Sequence, residues 1–278
     1  MTRITTALLS LFFLFTAHFT LAADTPWDQP LPFASATITY AISGTEQGKE
    51  IVYIKDHGKT MATYHTGTTT MLGTTMETNT VEIEDPDWVY SFDLKERTGT
   101  KSTNPVKVMK AEYAKLTKAE QDQVRKNAEK LGMTMMEGMS GKIEQNATKL
   151  FGFSCDRATF MGTSVYSIHG TPIALKTESE MMGMKMSSVA TALDQGPVDD
   201  KMFAHPAGIE AVFDQETDAM TQTMAVQTIT WMKDPEAANK AAQKQPAGGD
   251  QPNISPDDQE LMKQVEQMMK GMNGQKAE

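Results

Sequence analysis

Between residues 36 and 101 apolar and polar side chains alternate in short runs separated by turn-forming residues. Residues 36–43 place Ile38, Tyr40 and Ile42 on one face and Thr37 and Thr39 on the other, the period of two expected of a half-buried strand. Residues 44–48 make a turn and residues 49–55 return. Asp56-His57-Gly58-Lys59 is a second tight turn, leading into residues 60–65. A Thr-rich stretch over 66–84 ends with Val81 and Ile83 in alternation, and Asp85-Pro86-Asp87 interrupts it. Trp88, Tyr90, Phe92 and Leu94 then take every second position, so one face of that strand is aromatic and apolar. The succession predicts an antiparallel meander that ends at Asn104-Pro105.

There the period changes. Thr117-Lys118-Ala119-Glu120 fits a capping box, in which the Thr hydroxyl serves a free backbone N–H and the Glu reaches back. Helix formers run on to Leu131, with Gly132 placed as a C-terminal cap and Val124, Ala128 and Leu131 as a narrow apolar stripe. A Met-rich connection over 133–139 leads to a second strand group at 142–150, 154–161, 164–169, 172–180 and 185–194. Residues 199–208 read as a turn packed by Phe203, and 215–232 as a helix. The expected class is α+β, a strongly curved antiparallel sheet around a central helix.

The two ends of the chain differ in character from this middle. Arg3 precedes an apolar stretch over 7–19, and Leu21-Ala22-Ala23 follows. Charge, a hydrophobic segment too short to span a bilayer, and a small-residue exit describe a cleavable signal peptide at 1–23, with an uncleaved anchor as the alternative. No cysteine follows the exit, so no lipid anchor is expected there. The domain then covers 24–233, an Ala-, Gln-, Pro- and Gly-rich flexible linker 234–254, and an amphipathic helical tail 255–278. Leu261, Val265, Met268 and Met272 make one apolar stripe on that tail, which needs a surface to bury against, either the open mouth of its own domain or a partner. Once the signal is removed no membrane insertion is expected, and the compartment is the periplasm.

With 26 basic and 36 acidic residues the formal net charge is −10, which argues against a nucleic-acid partner, since phosphate binding needs clustered Lys and Arg. Cys155 is the only cysteine, so an exported chain has no internal disulfide and must be stabilised by burial. The thiol lies among apolar residues and reads as buried and inert. The 22 methionines make much of the apolar content soft and adaptable.

This arrangement resembles the periplasmic lipoprotein-carrier half-barrel superfamily. The carrying residues are Ile51-Val52-Tyr53-Ile54-Lys55-Asp56-His57-Gly58-Lys59, similar to that family's strand and Gly-Lys turn, and Pro86-Asp87-Trp88-Val89-Tyr90-Ser91-Phe92-Asp93. The second half resembles a Met-rich exported sister family through Leu150-Phe151-Gly152-Phe153-Ser154-Cys155-Asp156, Ile173-Ala174-Leu175-Lys176, Met181-Met182-Gly183-Met184 and Phe203-Ala204-His205-Pro206-Ala207-Gly208. The resemblance covers residues 36–213 and implies a concave apolar face able to hold acyl chains, with a lipid or acylated protein as partner, no enzymatic activity and no cofactor.

The residues expected to line such a face are Tyr40, Trp88, Tyr90, Phe92, Met184 and Met186. Two Met clusters, Met133, Met135, Met136 and Met139, then Met181, Met182, Met184 and Met186, offer thioethers that would suit Cu(I) as an alternative. A third reading is a structural or interaction protein whose Met-rich faces are core. His57, His65, His169 and His205 show no short ligand spacing and read as solvated, and no pair of carboxylates is placed face to face by the sequence. Nucleophile-elbow, phosphate-loop and dinucleotide fingerprints do not occur.

Overall fold

A computed structural model describes residues 25–27, 30–71, 74–138, 141–181 and 184–235, without the side chains of 71, 129–138 and 181. The signal segment, Met139, Met182, the linker beyond Pro235 and the tail stripe lie outside the described residues.

Twelve strands form one sheet. The first meander is β1 (Ala36–Gly44), β2 (Glu46–Lys55), β3 (Thr60–Met71), β4 (Thr74–Glu84), β5 (Trp88–Asp93) and β6 (Thr98–Thr103). The second is β7 (Lys142–Leu150), β8 (Phe153–Phe160), β9 (Thr163–Ile168), β10 (Ala174–Met181) and β11 (Met184–Asp194). A three-residue strand, β12 (Ala211–Phe213), pairs parallel with β6. The order is β12-β6-β5-β4-β3-β2-β1-β11-β10-β9-β8-β7, so the antiparallel β1–β11 pair joins the two meanders and the sheet is open, with β12 and β7 as its edges.

Between the meanders lie α1 (Pro105–Ala114) and α2 (Lys118–Gly138), and α3 (Gln215–Lys233) follows β12. The capping box at Thr117 forms as its spacing predicts: Glu120 Oε2 accepts from the Thr117 N–H at 2.9 Å, and the Glu120 N–H donates to Thr117 Oγ1 at 3.4 Å. The helix does not stop at Gly132. It runs to Gly138 because Met and Leu sustain a helix, and one interior Gly costs it only about 1 kcal/mol. Met133, Met135 and Met136 are therefore helical and not part of a connection. The periodicity also left α1 unassigned. It begins on the Asn104-Pro105 pair that marks the end of the meander, with Asn104 as N-cap accepting from the Val106 N–H at 2.8 Å and Pro105 in the first turn, where its missing N–H is harmless.

Register assigns each side chain to a face, because directly opposed residues of neighbouring strands point the same way. Three rows cross the first face: Tyr40, Glu50, His65, Thr80; then Ile38, Val52, Thr63, Glu82, Ser91, Thr100; then Ala36, Ile54, Met61, Glu84, Val89, Ser102. The second face carries Thr37, Tyr53, Ala62, Ile83, Tyr90 and Lys101, and beside them Ile51, Tyr64, Val81, Phe92 and Gly99.

Each face has its own core. Ala36, Ile38, Tyr40 and Ile54 of the first face are sealed by Leu31 and Phe33 and continue into Cys155, Ile168, Leu175 and Ala190. The backbone of that covering segment is tied down by Leu31 N–H to His57 O and His57 N–H to Ala34 O, both 3.0 Å. On the second face Ala62, Val81, Ile83 and Phe92 are covered by Phe203, Ile209 and Ala211. The helices form two further clusters, around Tyr113, Val124 and Ile229 and around Val108, Met109 and Ala225, both with Trp27. Among the described residues, neither cluster contains one from the sheet.

Candidate functional site

The residues expected to line one surface are divided between two. Tyr40 lies on the first face, 6% exposed, its hydroxyl donating to Ala174 O at 2.9 Å. Trp88, Tyr90 and Phe92 belong to the second face, where the chain itself occupies them. Residues 200–209 cross that face, the His205 ring lies 4.3 Å from the Tyr90 centroid and 5.2 Å from that of Phe92, and the Tyr64 hydroxyl donates to Met202 O at 3.0 Å. Lys55 locks the crossing with a 2.7 Å ion pair to Asp200 and sits over the Phe203 ring. Trp88 meets the Phe213 ring edge-on and lies under Lys101. Alternation identified these aromatics as an apolar face, but it carries no information about the distant segment that fills it.

Met184 and Met186 are exposed at the β10–β11 turn. Met186 shares the first face through its pairing with Gly44, and Met76, also exposed, shares it through Thr69 and Glu46. Met133, Met135 and Met136 ride on the last turns of α2. Among the described residues no group of three or more His, Cys, Asp and Glu is arranged to hold a metal ion, and no helix is long and apolar enough to cross a membrane.

The start of α1 is bonded to the first face. At the start of α1 the buried Asn104 amide donates to Glu84 Oε1 at 3.1 Å and to Asp85 O at 2.7 Å, and Glu84 points from that face. α3 packs on α1 and α2 and touches β6, while α2 touches β7, so the helical layer meets strands near both ends of the sheet order. Lys233 pairs with Glu120 at 2.6 Å and Asn127 donates to Met232 O at 2.9 Å, which fixes α2 against α3.

Along its rows the first face grades from apolar at β1 to acidic at β4. Glu82 and Glu84 are two residues apart on one strand and both keep some solvent contact. Burial is nevertheless the largest influence on each. It pushes the Glu82 carboxyl up to about 7, with Glu84 and Glu50 adding to the rise. Glu84 is also raised by burial, against the pull of its hydrogen bond from Asn104. Beside them His65 lies between Glu46 at 2.8 Å and Glu50 at 3.4 Å. Hydrogen bonds to Glu50 and Glu46 hold the imidazole up to about 9 against the opposing effect of burial, so it is a charged member of the site and not the solvated histidine expected. Burial also raises the Tyr40 hydroxyl, helped by Glu50.

This acidic group escaped sequence reasoning because Val81-Glu82-Ile83-Glu84 has the pattern of an ordinary strand with its acids in water. The available signal was that Glu82 and Glu84 share a face with Glu50 and His65 once β2, β3 and β4 are paired as a meander. Cys155, by contrast, is fully buried as expected, and burial raises its thiol.

Fold and site together define an α+β protein with one open twelve-stranded sheet and an acidic group, Glu82 and Glu84, on the face to which the start of α1 is bonded. No family model and no curated protein matches the chain. Among solved structures it is similar to an uncharacterised conserved protein from Thermus thermophilus, at 8% identity and a TM-score of 0.39 over 66% of this chain and 92% of that one. It is also similar to PNGF-II, at 13% identity and a TM-score of 0.35 over 70% of this chain and 33% of that one, so it spans about a third of that chain's length. Likenesses at this level carry no argument about function.

Proposed function

We propose that the protein is an exported, non-enzymatic binding protein that holds a hydrophobic ligand or an acylated client between the helical layer and the first face of a half-barrel-like sheet. The observation that carries this reading is the separation of the apolar clusters: among the described residues, the two clusters built on α1, α2 and α3 contain no strand residue, and the two built on the strands contain no residue of those helices. On the first face Val52, Met61 and Val89 are half-buried apolar side chains, Val52 and Met61 at the margin of the core around Ile38 and Ile54. Covering such surface with an alkyl chain is favourable by about 25 cal/mol per Å². Export is supported by the charged start, apolar stretch and small-residue exit of residues 1–23, and a soluble container for apolar cargo suits an aqueous compartment outside the cytoplasm.

Native mass spectrometry of the full mature chain, together with titration of an environment-sensitive fluorescent acyl probe, tests the reading. Co-purifying lipid or saturable probe binding is expected. Val52→Phe, which adds bulk on the first face where the ligand is proposed to lie, should weaken the probe by about tenfold, whereas Tyr90→Leu on the second face should leave its affinity within about twofold. A chain that carries no lipid and binds no acyl probe ends the proposal, and stoichiometric copper in its place would favour the methionine clusters.

A further inference from the structure

One end of the sheet meets water with methionine. Met186 lies opposite Gly44 on one side and Ser179 on the other, Ser179 lies opposite Thr163, and Thr69 lies opposite both Glu46 and Met76. The β1–β2, β3–β4, β8–β9 and β10–β11 turns therefore all project from that end. Among the described residues, the exposed large apolar side chains on these hairpins are Met76, Met161, Met184 and Met186, with no Leu, Ile, Val or Phe. None of the four belongs to a hydrophobic cluster. Met161 is 65% exposed at φ 45°, and Gly162 follows at φ 78°. Such a two-residue turn favours Asn and Gly, so a Met there is held at a cost that no packing offsets. Met186 and Met76 are four strand spacings apart, roughly 19 Å along the sheet, too far to converge on one soft metal ion. A reaction that uses one accessible sulfur at a time suits side chains spread in this way.

We propose that this rim is a modification site, where Met76, Met161, Met184 and Met186 take oxygen from a small two-electron oxidant, hypochlorous acid, and spare the methionines inside the fold. Each thioether sulfur gives up two electrons and gains one oxygen, the hypochlorous acid leaves as chloride and a proton, and the product is a methionine sulfoxide. Cys155, the single cysteine, is fully buried, so no accessible thiol competes for the oxidant. Met220 and Met224 extend the exposed set onto α3. Met109 and Met232, in contrast, are 2% and 3% exposed, and Met109 Sδ also accepts the Trp27 indole N–H at 2.7 Å, which engages a sulfur lone pair. A sulfoxide is polar, so forming one on Met109 or Met232 would disrupt the helical clusters that hold them. On a hairpin tip already in water it disturbs no packing.

Limiting hypochlorous acid added to the full mature chain, followed by peptide mapping that places each added oxygen on a single residue by mass spectrometry, tests this. Each rim methionine should be oxidised at least about tenfold more than Met109 or Met232. The circular-dichroism spectrum and the thermal midpoint should stay unchanged at doses that fill the rim. A variant carrying Met76→Leu, Met161→Asn, Met184→Leu and Met186→Leu removes the rim at unpacked positions. Its Met109 and Met232 should be oxidised, and its thermal transition lost, at a lower dose of oxidant than in the parent. Equal oxidation of rim and buried methionines overturns the proposal, as does a thermal midpoint that falls while only the rim is oxidised. A folded variant that tolerates the same dose as the parent overturns it too, since the rim would then protect nothing.

Discussion

At the scale of single residues, the molecule is most informative where a side chain is out of place. Ile38 and Ile54 are fully buried and behave as alternation requires. Glu82 does not, since it occupies a strand position that looks solvent-facing and is desolvated instead. Its carboxyl is raised from 4.5 to about 7 in the folded chain, so folding favours the protonated form. The associated stability is fully present below the unfolded value and is lost as pH rises through about 7. Glu82→Gln should therefore be more stable than the parent in urea unfolding at pH 8, by up to about 3 kcal/mol for a shift of this size. At pH 4 the two should differ little. Parallel profiles across that range would show that Glu82 is solvated after all.

At the scale of elements, capping residues decide where helices start, and they differ in how much else depends on them. Thr117 and Glu120 satisfy each other at the exposed start of α2. Asn104 caps α1 from a buried position and also holds Glu84 and the Asp85 carbonyl. Thr117→Ala should lower stability by about 1 kcal/mol. Asn104→Ala leaves a buried carboxylate without its donor as well and should cost about 2–4 kcal/mol. Equilibrium urea unfolding of the two variants compares them, and equal losses would show that the Asn104–Glu84 contact is energetically idle. The capping box was legible because its signature is local. The extension of α2 through Gly132 was not, because a glycine near a pattern's end looks the same whether it ends a helix or is tolerated within one.

At the scale of the whole molecule, one pairing makes a single sheet of two meanders. β1 and β11 lie at opposite ends of the two strand groups in sequence and pair from Thr37–Asp194 to Gly44–Met186, with one register shift between Thr39 and Tyr40. Gly44 sits at that joint with φ 109°, and a Cβ there would run into the Lys185 carbonyl. Gly44→Ala should lower Tm by roughly 5 °C or more, through strain and collision together. Gly152→Ala provides the comparison, since Gly152 has φ 85° but open space around it and should show a smaller loss from strain alone. Equal shifts in thermal melts would mean that the close approach at the joint is not what constrains Gly44.

What the chain determined by itself is what depends on near neighbours: the strands and their turns, the capping box, the inert Cys155, the third helix and the division into two strand groups about a helical insert. These follow from periods of two and about 3.6 and from turn and cap chemistry, which act over a few residues. Only the tertiary structure decided what covers each face. It placed Tyr90 and Phe92 beneath His205, Trp88 against Phe213, and Tyr40 in the core sealed by Leu31 and Phe33. It also gathered Glu50, His65, Glu82 and Glu84 from three strands into one desolvated group. Alternation states that a strand has two faces. Which of them is covered, and by what, depends on register and on contacts between residues far apart in the chain.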